Sequence, residues 1–173
     1  MLRWLTGLLG WVPRDERTGV ALAPGACWRV TAPHDHAVFV RALHELLPPE
    51  SVVFIEGGSS DDAINRAFAT RATAPDLKIA RGTIWPRRRI IHVPATLENL
   101  TLLAELCTAN AAVALCEHFH AYHGQQILLQ WHDAFCRDPL YLAHDIPEGK
   151  VKAFCQRCGC VYELEGDGIG CSH

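Results

Sequence analysis

The spacing of apolar residues along the chain switches between a period of two and a period near three and a half, and the switches mark the element boundaries. Cys27 to Thr31 (CWRVT) predicts a strand. From Ala37 to Leu47, the apolar residues Val38, Leu43, Leu46 and Leu47 recur on one helical face. Asp35 stands where an N-cap belongs, and Pro48-Pro49 ends the helix because proline has no amide hydrogen to give. Ser51 to Ile55 is short, nearly all apolar and β-branched, as a buried strand is. Gly57-Gly58 then turns the chain, and Ser59 or Ser60 caps a helix running to Ala72, with Ser59 and Asp62 spaced as a capping box.

Lys78 to Trp85 and Arg89 to Val93 read as two strands around Pro86-Arg87. Thr96 caps a helix that carries Leu97, Leu100, Leu103, Ala104 and Cys107 at helical spacing. Ala112 to Tyr122 and Gln126 to Trp131 predict a hairpin turned at His123-Gly124. Asp133 to Gly149, with Pro139 and Pro147, is the least regular stretch. Pro147 to Cys158 predicts a helix with Gly159 as its C-terminal cap, and Val161 to Leu164 a last strand. Strand, helix and strand followed by a later hairpin predict an α+β fold. It is a single domain with a mixed β-sheet, helices on at least one face and a short N-terminal helix. The divisions are 1–13, an apolar docking helix; 20–165, the globular domain; and 166–173, a tail that can join 155–160 in a small metal site.

Residues 1–13 (MLRWLTGLLGWVP) could be mistaken for a leader or an anchor. No small-residue cleavage site follows, and the run falls short of the roughly 20 apolar residues a span requires. Trp4, Leu8 and Trp11 make it a sticky patch suited to docking. The composition, 49% hydrophobic and 20% charged, is that of an ordinary globular domain. A net charge of -3 argues against general nucleic-acid binding, which needs a basic face for the phosphates. Ten histidines make the charge sensitive to mild acid.

Eight cysteines are many for a cytoplasmic chain. Cys27, Cys107, Cys116 and Cys136 each stand alone among apolar neighbours, as buried thiols do. Cys155-Gln156-Arg157-Cys158-Gly159 is a C-x-x-C pair followed by glycine, and Cys171 and His173 can close a tetrahedral set across a turn at Gly166-Asp167-Gly168. Over about twenty residues this layout resembles a minimal zinc ribbon, with Cys160 spare and a C-x-H second pair. Two other readings stand beside it. Val151, Phe154, Cys155 and Cys158 also recur as the buried face of a plain amphipathic helix. A thiol–disulfide site is the third, although its first cysteine belongs at a helix start, where the dipole lowers the thiol pKa.

His118 and His120 alternate on one strand face, as two ligands of a metal-dependent enzyme would. His132, Asp133 and His92 are the nearest third ligands in the predicted layout. A turn at His123-Gly124 predicts that this face also carries Ile127, Leu129 and Trp131, which favours packing over catalysis. Glu56-Gly57-Gly58-Ser59-Ser60 matches neither nucleotide-binding loop, and Asp61 and Asp62 would repel phosphate. Arg87-Arg88-Arg89 reads as a solvated edge. No nucleophile elbow or paired carboxylates are present. The expectation is a non-enzymatic protein-binding domain of bacterial immunity or accessory type, with Trp85, Tyr122, Trp131 and Tyr141 as exposed anchors.

Overall fold

The computed structural model describes residues 19–22, 25–58, 61–79, 82 and 88–166. Seven strands form one sheet: β1 (Cys27–Val30), β2 (Val52–Gly57), β3 (Ile90–Pro94), β4 (Cys116–His123), β5 (Gln126–Trp131), β6 (Leu140–Ala143) and β7 (Tyr162–Glu165). Their order is β3-β2-β4-β5-β6-β1-β7, and every neighbouring pair runs antiparallel. Among the described residues there are five helices: α1 (His36–Leu46), α2 (Asp61–Phe68), α3 (Leu97–Ala109), α4 (Ala112–Leu115) and α5 (Glu148–Cys158). The α+β architecture is as the apolar pattern predicts. No helix of the described residues is long and apolar enough to cross a membrane.

The caps behave as the sequence requires. Asp35 accepts from the Val38 amide at 2.9 Å and Thr96 from the Asn99 amide at 3.3 Å, each filling one orphan donor of a first helical turn. Gly159 ends α5 with φ at 67°, a left-handed conformation that costs glycine little.

One sheet face lies under α1 and α5. Phe39 of α1 meets Phe119 of β4, Trp131 of β5 and Phe154 of α5, with ring centroids 5.1–5.9 Å apart and edge-on. Such aromatic packing adds to the burial of the apolar rings themselves. At the β3 edge, the turn after α2 donates the Thr73 amide to the His92 carbonyl at 2.9 Å, so that edge is partly covered.

Three elements differ from the pattern. Ala112 to Leu115 forms a helical turn before β4 begins at Cys116, and α2 ends at Phe68 rather than Ala72. β6 arises inside the stretch that reads as irregular, because its four residues follow Pro139 directly and show too few alternations to register as a strand. Of the run from Lys78 to Trp85, the described residues show one bridge, Val20 to Ile79; the remainder lies outside them, as do residues 1–13, Ser59 and Ser60.

Candidate functional site

The opposite sheet face carries most of the polar side chains buried in the sheet. Residues directly opposite on neighbouring strands share a face, so Phe54 joins His92 and His120, and Glu56 joins His118. His120 in turn stands opposite Gln130. Glu56, His118, His120 and His92 are all buried.

The hairpin register departs from expectation. The first strand ends at His123, one residue later than predicted, the second begins at Gln126 as predicted, and a bulge intervenes between Ala121 and Tyr122. Ile127 stays opposite Tyr122, but Leu129 and Trp131 are turned to the helix side opposite Ala121 and Phe119. The slip matters because side chains alternate with every residue. The face around the histidines is consequently more polar than predicted.

The imidazoles form a chain of hydrogen bonds. Nδ1 of His120 accepts from the Trp131 amide at 3.3 Å, and Nδ1 of His118 accepts from the Asp133 amide at 3.3 Å. His132 Nδ1 lies 3.4 Å from His118 Nδ1, and Gln130 Nε2 lies 2.7 Å from His132 Nε2. Since His118 Nδ1 is already an acceptor, His132 must carry its proton on Nδ1 and receive the Gln130 amide on Nε2. Burial pushes His120 well below the usual imidazole range, and the neighbouring His132 and His118 push it further. Burial also lowers His92, whose Nδ1 lies 2.9 Å from the Tyr122 hydroxyl.

This polarity has a structural cause. Helices satisfy their own backbone, but residues 19–22, 76–79 and 82 belong to no helix or strand and need other partners. Glu56 accepts the Gly82 amide at 2.9 Å and Gln130 accepts the Leu22 amide at 2.8 Å. A Cβ at Gly82 would lie 2.2 Å from the His118 ring, so only glycine allows this approach. Asp133 and Phe135, with φ at 46° and 65°, bend the chain sharply just after His132. Among the described residues, no three of His, Cys, Asp and Glu gather closely enough to hold a metal ion.

The anchors read from sequence divide. Tyr122 and Trp131 are each 0% exposed, which corrects the expectation that they stand at the surface. Trp131 fills the core beside Phe39 and donates from Nε1 to the Asp138 carbonyl at 3.0 Å. Tyr141 is half-buried, and Trp85 lies outside the described residues. Cys155 and Cys158 are buried on α5, their thiols pushed up to about 12 by burial and by neighbouring cysteines. Cys171 and His173 lie outside the described residues. No disulfide joins any of the seven described cysteines.

Sequence reasoning missed the surface hollows, because they are made where distant elements meet. One, of about 510 Å³, is walled by Leu47, Pro48, Pro49, Pro94, Ala95 and Leu97 between the end of α1 and the start of α3. A second, of about 370 Å³, lies between α2 and β3. No protein family, characterised protein or solved structure matches the chain.

Proposed function

We propose that the chain is a non-enzymatic binding domain that recognises a protein segment bearing a large apolar side chain. One observation carries this reading: the 510 Å³ hollow has mostly apolar walls, and Leu97 beside it is 58% exposed. A hollow of that size accepts an anchor side chain of the kind that dominates interface energetics. Its rim mixes His44, Glu45, Glu50 and Lys150, which suits a polar surround to an apolar centre. The buried imidazoles support the non-catalytic side, since Nδ1 of both His118 and His120 is engaged by a backbone amide. Reduced thiols fit a cytoplasmic location.

The test is selection of peptides from a displayed random library on the immobilised chain. Enriched peptides should share a large apolar residue, and binding should fall about ten-fold or more in Leu97→Asp with the circular dichroism unchanged. Enrichment no better than on a blank surface, or binders indifferent to Leu97→Asp, would sink the proposal.

A structural zinc is the second reading. Cys155 and Cys158 are buried one helical turn apart at the end of α5, and Cys160 follows two residues on, so the C-x-x-C pair of the resemblance sits on one helix face. Against it, thiolates at Cys155 and Cys158 would have to form where burial opposes them. Elemental analysis of protein purified without chelators decides: about one zinc per chain, lost in Cys155→Ser, supports it, and none refutes it.

A further inference from the structure

We propose that the hollow between the end of α1 and the start of α3 is the docking site of the chain's own residues 1–13, with Trp4, Leu8 and Trp11 as the anchors. The inference rests on the reading of that hollow as a binding site and names its resident occupant.

Apolar complementarity comes first. Trp4, Leu8 and Trp11 are spaced four and then three apart, the i, i+4, i+7 pattern of side chains that enter a groove from one helical face. The hollow offers Leu47, Pro48, Pro49, Pro94, Ala95 and Leu97 as apolar wall, and its volume of about 510 Å³ is room for more than one large side chain. Charge agrees with this. Arg3 is the one charged residue of the segment, and the exposed Glu50 on the rim enters no ion pair among the described residues.

Position is the independent argument. Val52 stands opposite both Pro94 and Tyr122, so Ser51 and Pro94 of the hollow lie at the end of the sheet where β4 turns into β5. Gln125 in that turn donates to the Asp76 carbonyl at 2.7 Å, and two residues further on the Lys78 carbonyl accepts the Val20 amide at 2.9 Å. From Val20 the chain runs away from the turn, since Leu22 gives its amide to Gln130. The described chain therefore begins at the same end of the sheet as the hollow. β2 is two strands from β5, about 10 Å in a sheet, and the six steps from Pro13 to Gly19 span up to roughly 20 Å. A tether that short holds the segment at an effective concentration on the order of millimolar, where modest apolar contacts suffice.

The experiment is fluorine NMR of the full chain carrying 5-fluorotryptophan, with the lines of Trp4 and Trp11 assigned by Trp4→Phe and Trp11→Phe. Both lines are expected away from the position of the free amino acid, and Leu97→Asp should return them to it. Leu97 is exposed, so the variant keeps its fold, and unmoved Trp28 and Trp131 lines verify that. Chymotrypsin should cut after Trp4 and Trp11 about ten-fold or more faster in Leu97→Asp. Lines at the free position, or lines indifferent to Leu97→Asp, overturn the assignment. A dimer in light scattering, whose loss on dilution shifts both lines, overturns it too by giving the hollow to a second copy's segment.

Peptides selected on the chain separate this inference from the reading beneath it. With both right, they bind the double variant Trp4→Ala, Trp11→Ala about ten-fold or more tighter than the unaltered chain, because the resident segment no longer competes. Peptide binding with lines indifferent to Leu97→Asp removes the segment alone. Responsive lines with no peptide binding to either chain remove the recognition of other proteins alone.

Discussion

The Trp131 amide hydrogen rests on Nδ1 of His120 at 3.3 Å, so one strand's backbone fixes the protonation of a ring on the next. Such a ring cannot accept a proton at Nδ1 without losing that bond, and His118 is held the same way by Asp133. The His120 ring is therefore held in its neutral form.

Stability should accordingly fall in mild acid. His120 has a folded pKa well below its ordinary value of 6.5, so the unfolded chain binds the proton first. The contribution is intact above pH 6.5 and is lost as the pH falls below it, at up to about 1.4 kcal/mol per pH unit for one such group. The groups facing His120 are His118, His132 and the Phe54 ring, and none offers a compensating negative charge. Urea midpoints should hold steady from about pH 8 to 7 and drop by about pH 5, less so in His120→Asn. A midpoint flat across that window would refute neutral burial.

Tyr122→Phe removes the hydroxyl from His92 while keeping the ring in the core. It should cost about 1–3 kcal/mol, because the imidazole nitrogen is left without its buried partner. At about 2–4 °C for each kcal/mol in a domain of this size, calorimetry will resolve the change. Trp131→Ala should instead unfold most of the protein, at about 3–5 kcal/mol for a buried aromatic.

Thiol labelling should follow burial. Among the described cysteines, Cys136 is exposed and reacts first with iodoacetamide. Cys107, Cys155 and Cys158, with pKa values pushed up to about 12, should react orders of magnitude more slowly in the folded state. Peptide mass spectrometry over time reads the order. Faster labelling of Cys155 and Cys158 on adding a chelator would instead reveal a bound metal.

The loop after His132 is strained at Asp133, whose side chain is exposed. Asp133→Gly should be neutral or stabilising by up to about 1 kcal/mol, and Asp133→Val destabilising by about 1–2 kcal/mol. The difference isolates backbone conformation from packing, and equal melting temperatures would mean that the loop relaxes.

What the sequence disclosed was local. Asp35, Thr96 and Gly159 cap helices through neighbours three or four residues away, and their residue types announce it. The hairpin's existence was equally legible from two apolar runs around a glycine. Its register was not: a turn displaced by one residue and a bulge past Tyr122 are decided by what covers each face, which no window of neighbours contains. The same holds for the hollow at His92, assembled from α2 and β3 some twenty-five residues apart. Glu56 looked like part of a glycine turn because its partner, the Gly82 amide, is 26 positions away.

β1 lies between β6 and β7, so the first strand of the sheet is flanked only by its last two. During synthesis Trp28 must wait for Leu142 and then Leu164 before either side of its backbone is paired. A nascent chain halted after β5 can assemble β2 to β5 but must leave β1 dangling, open to chaperones or to neighbouring polysomes. Loss of β7 alone would expose the full length of β1 as a new edge, so small C-terminal truncations reach back to the start of the fold.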